Sequence, residues 1–204
     1  MGIRSKRAIR CQRCRMHQEH CLCPIIPRLE LETRLVLVMH QRETVKTTAT
    51  GPLALAALPN SELRIHGRVD APLDFSDLAD PGRRTLLLYP AEGAALLDRE
   101  FLEKDQRPVT LVVPDGNWRQ AARMGRRLPG LGHAELVRLP AGEPTEWGIR
   151  NEPHPEGLAT FEAIARAMGI IESARVREEM EALFRRMVRR TLQTRGEWGA
   201  EERA

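Results

Sequence analysis

Apolar residues fall into short runs separated by polar breaks marked with proline and glycine. The runs alternate between strand-like and helix-like periods. Leu31 to Met39 (LETRLVLVM) predicts a buried strand, Leu63 to His66 a short one, and Thr85 to Tyr89 and Val109 to Val113 two strongly apolar ones. Ala134 to Leu139 predicts another strand, stopped by Pro140. Between these runs the pattern turns helical. A loop at Thr50 leads through Gly51 and Pro52 into a short helix ending near Leu58, and a helix follows Pro90-Ala91-Glu92-Gly93 and runs through Glu103. Further helices are predicted at Trp118 to Leu128, from Thr160 to Met168, and from about Arg175 to Thr194.

Strand, loop and helix thus recur in turn, which predicts an α/β domain: a parallel sheet with helices on both faces. Ligands in such sheets sit beyond the carboxyl ends of the strands, so the loops after 85–89, 109–113 and 134–139 are where chemistry is expected. No GxGxxG turn and no GxxxxGK[ST] loop opens a helix, which argues against an ordinary dinucleotide or ATP site.

The 204 residues suffice for one sizeable domain with a small appendage. No apolar run approaches the roughly 20 residues of a membrane span, and no apolar signal core precedes Cys11. A cytoplasmic protein without membrane contact is the expectation. The net charge of +4 hints at an anionic partner. Its distribution says more, because Arg119, Arg123, Arg126 and Arg127 follow one motif and a second arginine cluster lies in the last helix. Arg119, Arg123 and Arg127 recur every fourth residue, so they share a helix face suited to phosphate contacts. The second cluster is interleaved with Glu178, Glu179 and Glu181, which is also the pattern of a solvated helix face.

The four cysteines, Cys11, Cys14, Cys21 and Cys23, form a C-x2-C-x6-C-x-C pattern. Four thiolates so close in sequence match a structural zinc site, with His17 and His20 between the pairs as possible substitutes; a redox pair or an iron–sulfur cluster is the alternative reading. Residues 1–27 then form a small zinc-binding module and 28–204 the main domain. Arg13 and Arg15, among other basic residues around the cysteines, either offer RNA a grip or merely cap the domain.

Pro114-Asp115-Gly116-Asn117-Trp118 follows an apolar strand. Asp115 stands where a strand-end carboxylate can meet a ligand, and Gly116 permits close backbone approach. The plainer alternative is that Asp115 or Asn117 caps the next helix while Trp118 packs in the core.

The chain resembles the DTW-domain family, tRNA-uridine aminocarboxypropyltransferases related to the SPOUT superfamily. Five blocks in order carry the resemblance: CQRCRMHQEHCLCPIIP, TATGPLALAALPNSEL, LLLYPAEGAALL, PDGNWRQAARM and IRNEPHPEGLATFEAIARAM. One position departs, for Asn117 stands where the family usually has threonine. The resemblance implies a SPOUT-like knotted cofactor site, S-adenosylmethionine as donor, N3 of a tRNA uridine as acceptor and methylthioadenosine as by-product. It implies donor binding by Thr50, Gly51, Tyr89, Pro90, Glu92, Gly93, Asp115, Gly116, Trp118, Leu139, Pro140 and Thr160. N3 must lose a proton, and Asp115 is the candidate base, with Glu92 as alternative. Trp118 or Trp147 is placed to stack on adenine or uracil. Rival readings are a SPOUT-type RNA methyltransferase and a non-catalytic zinc-knuckle RNA-binding protein. The sequence sets no oligomeric state.

Overall fold

The computed structural model describes residues 9–149 and 157–196. Six parallel strands form one sheet: β1 (Arg34–His40), β2 (Ser61–His66), β3 (Arg84–Leu88), β4 (Ala95–Leu96), β5 (Val109–Asp115) and β6 (Glu135–Arg138). Their order is β2-β1-β5-β3-β6-β4. The helices are α1 (Gly51–Ala57), α2 (Arg99–Glu103), α3 (Trp118–Arg127), α4 (Thr160–Ile171) and α5 (Ala174–Arg195).

The central strands bury both faces, which is why they read as unbroken apolar runs. Leu35, Leu37, Met39, Leu111 and Val113 meet one core, built with α1, α4 and α5. The alternate residues Val36, Val38, Leu87 and Val112 meet a second core, with Phe75, Leu78 and Met124 and Leu128 at α3. Helices therefore cover both faces, as the alternation of elements predicts. Each fully buried Leu, Val or Phe contributes about 1.5–3 kcal/mol.

α5 buries Val176, Met180, Leu183, Phe184 and Met187, the stripe of an amphipathic helix. Ser173 caps its start and Gly196 its end, the latter at φ 73°. Phe184 stacks on Phe161 of α4 with ring centroids 5.5 Å apart. Gly169 lets α4 and α5 close together, since a Cβ there would lie 2.6 Å from the Arg177 Cβ.

Two expectations are corrected. The first strand begins at Arg34 and not at Leu31, because the Thr33 N–H donates to Glu172 at 2.7 Å instead of joining a ladder. The helix expected right after Pro90-Ala91-Glu92-Gly93 is a turn followed by the edge strand β4 and the five-residue α2. Leu97 donates to the Arg138 carbonyl at 2.8 Å, holding this stretch on β6, and Asp98 then caps α2 by accepting from Phe101 N at 2.8 Å.

At the amino-terminal ends of the strands, away from the loops of interest, buried Arg84 binds Glu135 at 2.6 Å and lies over the Phe101 ring at 4.1 Å. The guanidinium holds the Glu135 carboxyl below its ordinary range. The cysteine region is sewn to the rest. Cys14, Met16 and Leu22 are buried in the α4–α5 core, Arg190 donates to the His20 and Cys21 carbonyls, and Thr191 lies 3.9 Å from the Met16 sulfur.

Candidate active site

The strand order places a crevice. After β1 the chain turns outward to β2, whereas after β5 it turns the other way to β6, so the neighbours β1 and β5 form the switch point where such sheets bind ligands. The β3–β5 pairing stops at Leu87–Val112, two residues before Pro114, which has no N–H to extend it. At this end lies a cleft of ≈ 1040 Å³, walled by Thr48 and Thr50 after β1, Leu88 to Pro90 after β3, Val113 to Arg119 along β5 and α3, Arg138 to Glu143 after β6, and Trp147, Thr160, Ala163 and Arg166.

Asp115 ends β5 opposite Met39 of β1 and is 3% exposed. Its Oδ1 accepts from the Thr160 hydroxyl at 2.7 Å. Behind it stands Gly51, where a Cβ would lie 2.7 Å from Oδ2 and 3.0 Å from Leu37. Gly51 is thus a packing requirement of the carboxylate and does not line the cleft. Thr50 accepts from the Phe161 N–H at 3.2 Å, so β5, α1 and α4 meet at this point.

The capping question is resolved in favour of Asn117. Its side chain accepts from Gln120 N at 2.9 Å, and the Gln120 side chain accepts from Asn117 N at 2.8 Å. A Cβ on Gly116 would lie 2.8 Å from the Gln120 Cβ, so the closed box needs glycine there. The residue that departs from the family pattern therefore does the capping.

Tyr89 lies against α3 where Gly125 leaves room, and a Cβ at that glycine would lie 2.5 Å from the ring. Pro90, Leu139 and Pro140 form rims, and Trp118 stands half-buried on the wall. Trp147 is buried, with its ring 5.8 Å from that of Phe184. Glu92 and Gly93 stay outside, as both are exposed on the turn before β4. Arg119 lines the cleft and Arg123 is exposed one turn on, while the Arg127 side chain lies outside the described residues. Arg13 donates to the Ala56 carbonyl of α1 at 3.2 Å and Arg15 to the Thr44 carbonyl in the loop after β1, so each joins the cysteine region to the main domain.

The sequence pattern does not single out Glu162 or Arg166. Buried Glu162 accepts from Ala159 N at 2.9 Å, from Glu146 N at 2.8 Å and from the Thr145 hydroxyl, tying the 143–147 loop to the start of α4. A glutamate three residues after a helix start is the available signal, as half of a capping box.

The sulfurs of Cys11, Cys14, Cys21 and Cys23 lie within 4.8 Å of one another, a group that could hold a metal ion. Cys11 and Cys23 are 3.4 Å apart, Cys14 and Cys21 3.7 Å. The Leu22 N–H points at the Cys14 sulfur, and Arg15 makes the knuckle turn at φ 61°. The N–H of Cys14 draws the Cys11 thiol down to about 6, whereas burial and the neighbouring thiols push Cys23 up to about 12. Four such sulfurs ionise together only around a cation. His17 and His20 are not part of this group.

Fold and site together define a parallel α/β protein with a strand-end cleft and a four-thiol knuckle. A family model described as the DTW domain matches residues 8–192, and the chain belongs to the DTW-domain family. It is 33% identical over 178 residues to a Macaca fascicularis protein named tRNA-uridine aminocarboxypropyltransferase 2, covering 82% of this chain and 58% of that one. Proteins of the same name from Mus musculus and Drosophila melanogaster are 31% and 26% identical, with 58% and 67% of their lengths covered. The chain thus spans about 58% of the two mammalian relatives. No solved structure matches it. Among the described residues, no helix is long and apolar enough to cross a membrane.

Proposed function

We propose that this protein transfers the 3-amino-3-carboxypropyl group of S-adenosylmethionine to N3 of a tRNA uridine and releases methylthioadenosine. The observation that carries this is Asp115, a buried carboxylate at the end of β5, hydrogen-bonded by Thr160 and facing a cleft of ≈ 1040 Å³ at the switch point. The relatives' names and the shared DTW domain supply the reaction class.

N3 attacks the chain carbon next to sulfur, the N3–C bond forms as that C–S bond breaks, and the bonding electrons neutralise the sulfonium. Asp115 takes the N3 proton, and the Thr160 hydroxyl fixes the carboxylate's direction. Transfer of this carbon in preference to the methyl follows from alignment. Thr50, Tyr89, Pro90, Gly116, Leu139 and Pro140 line the donor's place, and Trp118 or Trp147 offers a ring face. Gly51 acts by keeping Asp115 in register. Arg119, Arg123 and Arg127 receive tRNA phosphates, with Arg13 and Arg15 as further contacts near the knuckle. The SPOUT-like knotted cofactor site belongs to the same reading, as does a cytoplasmic location, where thiols stay reduced.

The knuckle's ion is zinc. A tetrahedron with Zn–S bonds of about 2.3 Å has edges of about 3.8 Å, close to the 3.4 and 3.7 Å sulfur pairs. The metal's part is to fold residues 1–27 against the domain of 28–204, with the four thiolates as its ligands.

The test is incubation of the protein with S-adenosylmethionine and tRNA, followed by mass spectrometry of nucleosides and small molecules. Aminocarboxypropyl-uridine together with methylthioadenosine is expected. S-adenosylhomocysteine would show a methyltransferase, and tRNA binding with no turnover a non-catalytic RNA-binding protein.

A further inference from the structure

Among the described residues three cations line the cleft, Arg119, Arg138 and Arg166, and Arg166 differs from the others. Arg119 and Arg138 are exposed, whereas Arg166 is half-buried. Its Nη2 donates to the Glu143 carbonyl at 2.7 Å, which holds the guanidinium against the 141–143 loop. Gly142 keeps that place open, for a Cβ there would lie 3.1 Å from Nη1. The Arg166 Nε is buried and meets no hydrogen-bond partner among the described residues. No carboxylate among them pairs with this side chain. A buried guanidinium nitrogen left unbonded is costly, and a planar fork of N–H groups is the natural complement of a carboxylate.

Helix spacing gives the site its second end. Thr160, Ala163 and Arg166 follow one another at three-residue steps along the cleft side of α4. Thr160 holds Asp115, Ala163 contributes only a methyl group, and Arg166 stands six residues on, about 9 Å along the helix axis. A ligand on this wall meets a carboxylate at one end and a guanidinium at the other.

We infer that Arg166 binds the α-carboxylate of the aminocarboxypropyl donor and thereby selects donors that retain it. This rests on the donor assignment made above. A tRNA phosphate would also attract a guanidinium, but the buried Nε and the Glu143 anchor set Arg166 inside the wall, while exposed Arg119 and Arg123 stand where a polyanion can reach them.

The experiment measures equilibrium binding of three small molecules to the full chain. They are S-adenosylmethionine, its decarboxylated analogue with the same sulfonium and adenosine, and methylthioadenosine, which lacks the amino-acid chain. The wild type is expected to favour S-adenosylmethionine over the decarboxylated form by roughly 10- to 100-fold, the span of a charge-assisted fork. Arg166→Ala should abolish that preference and leave methylthioadenosine binding unchanged, which also reports an intact cleft. Arg166→Lys should keep part of it. A preference that survives Arg166→Ala, or an equal weakening of all three ligands, would overturn the carboxylate role while leaving the donor assignment standing. Loss of tRNA affinity with donor preference intact would give Arg166 to phosphate instead. A wild type that binds none of the three would overturn the donor assignment and this role with it.

Discussion

Two fully buried parallel strands each lead into a short stretch that holds a proline, an acidic residue and then a glycine. After β3 the chain runs Pro90-Ala91-Glu92-Gly93, and β5 ends in Pro114-Asp115 before Gly116. On paper the carboxylates are near equals. In the fold, Glu92 is exposed on a turn leading to the sheet's edge, while Asp115 is 3% exposed on an inner strand. Asp115 is enclosed by residues far away in the chain: Met39 beside it, Gly51 behind it and Thr160 in front. Chemistry at a strand end thus depends on how many other elements close around the side chain, and the loop that bears it decides little.

The strongest way to break this contrast is a pair of isosteric changes. Asp115→Asn should lower turnover about 10²- to 10⁴-fold at neutral pH, as loss of a general base does, with donor binding retained. Part of the loss should return at alkaline pH, where uracil sheds its N3 proton unaided. Glu92→Gln should leave turnover within about twofold, since surface changes away from a site are small. Steady-state rates at saturating donor across pH decide the matter, and the opposite ranking would hand the proton to Glu92.

A second experiment asks whether the cleft depends on the knuckle. Cys14→Ser, or removal of metal by a chelator, should lower the melting temperature, because metal binding and folding are coupled. Elemental analysis should find one zinc per wild-type chain. tRNA affinity should fall about tenfold or more, while donor affinity measured below the lowered melting point stays near normal. Matching losses of both would make the knuckle part of the cleft's own scaffold.

A finer probe is Gly51→Ala. The added methyl meets the Asp115 Oδ2 at 2.7 Å and Leu37 at 3.0 Å, so the carboxylate must turn from Thr160. Overpacking of this kind costs about 1–3 kcal/mol, and turnover should fall roughly tenfold, with the melting curve recording the structural share. Unchanged turnover would mean that the direction of the carboxylate does not matter. The smallest effect belongs to the rim. Arg119→Ala with Arg123→Ala should weaken tRNA binding and flatten its salt dependence by about one to two units of slope, with donor affinity untouched. An unaltered slope would leave both as solvated charges.

The buried strands are legible in the sequence because short, unbroken runs of Leu and Val between turn residues suit a strand covered on both faces. The thiol cluster is legible because four cysteines within thirteen residues match a tetrahedral metal site. β4 escaped because Ala-Leu-rich sequence favours helix on propensity, and only the pairing of Ala95–Leu96 with Val137–Arg138 overrides it. Asp115 could be named from its strand, but the choice between cap and cleft needed the Asn117–Gln120 box. Arg166 lies in a stretch whose 3.6-residue period announces a helix and nothing more, and Glu162 adds to it only half of a capping box. Their purpose comes from the 141–147 loop, which no local pattern ties to them.

The grip of Arg190 on the His20 and Cys21 carbonyls spans about 170 residues of chain. At synthesis rates of about 5–20 residues per second, the cysteines emerge on the order of ten to thirty seconds before the arginine that will hold them. For most of that interval the knuckle can lean on Thr44 and Ala56, through Arg15 and Arg13, but not yet on α5. An early ion would act as a placeholder, keeping the knuckle's shape until the last helix arrives, and a cell short of that ion would release nascent chains whose first segment is open to oxidation before their last segment exists.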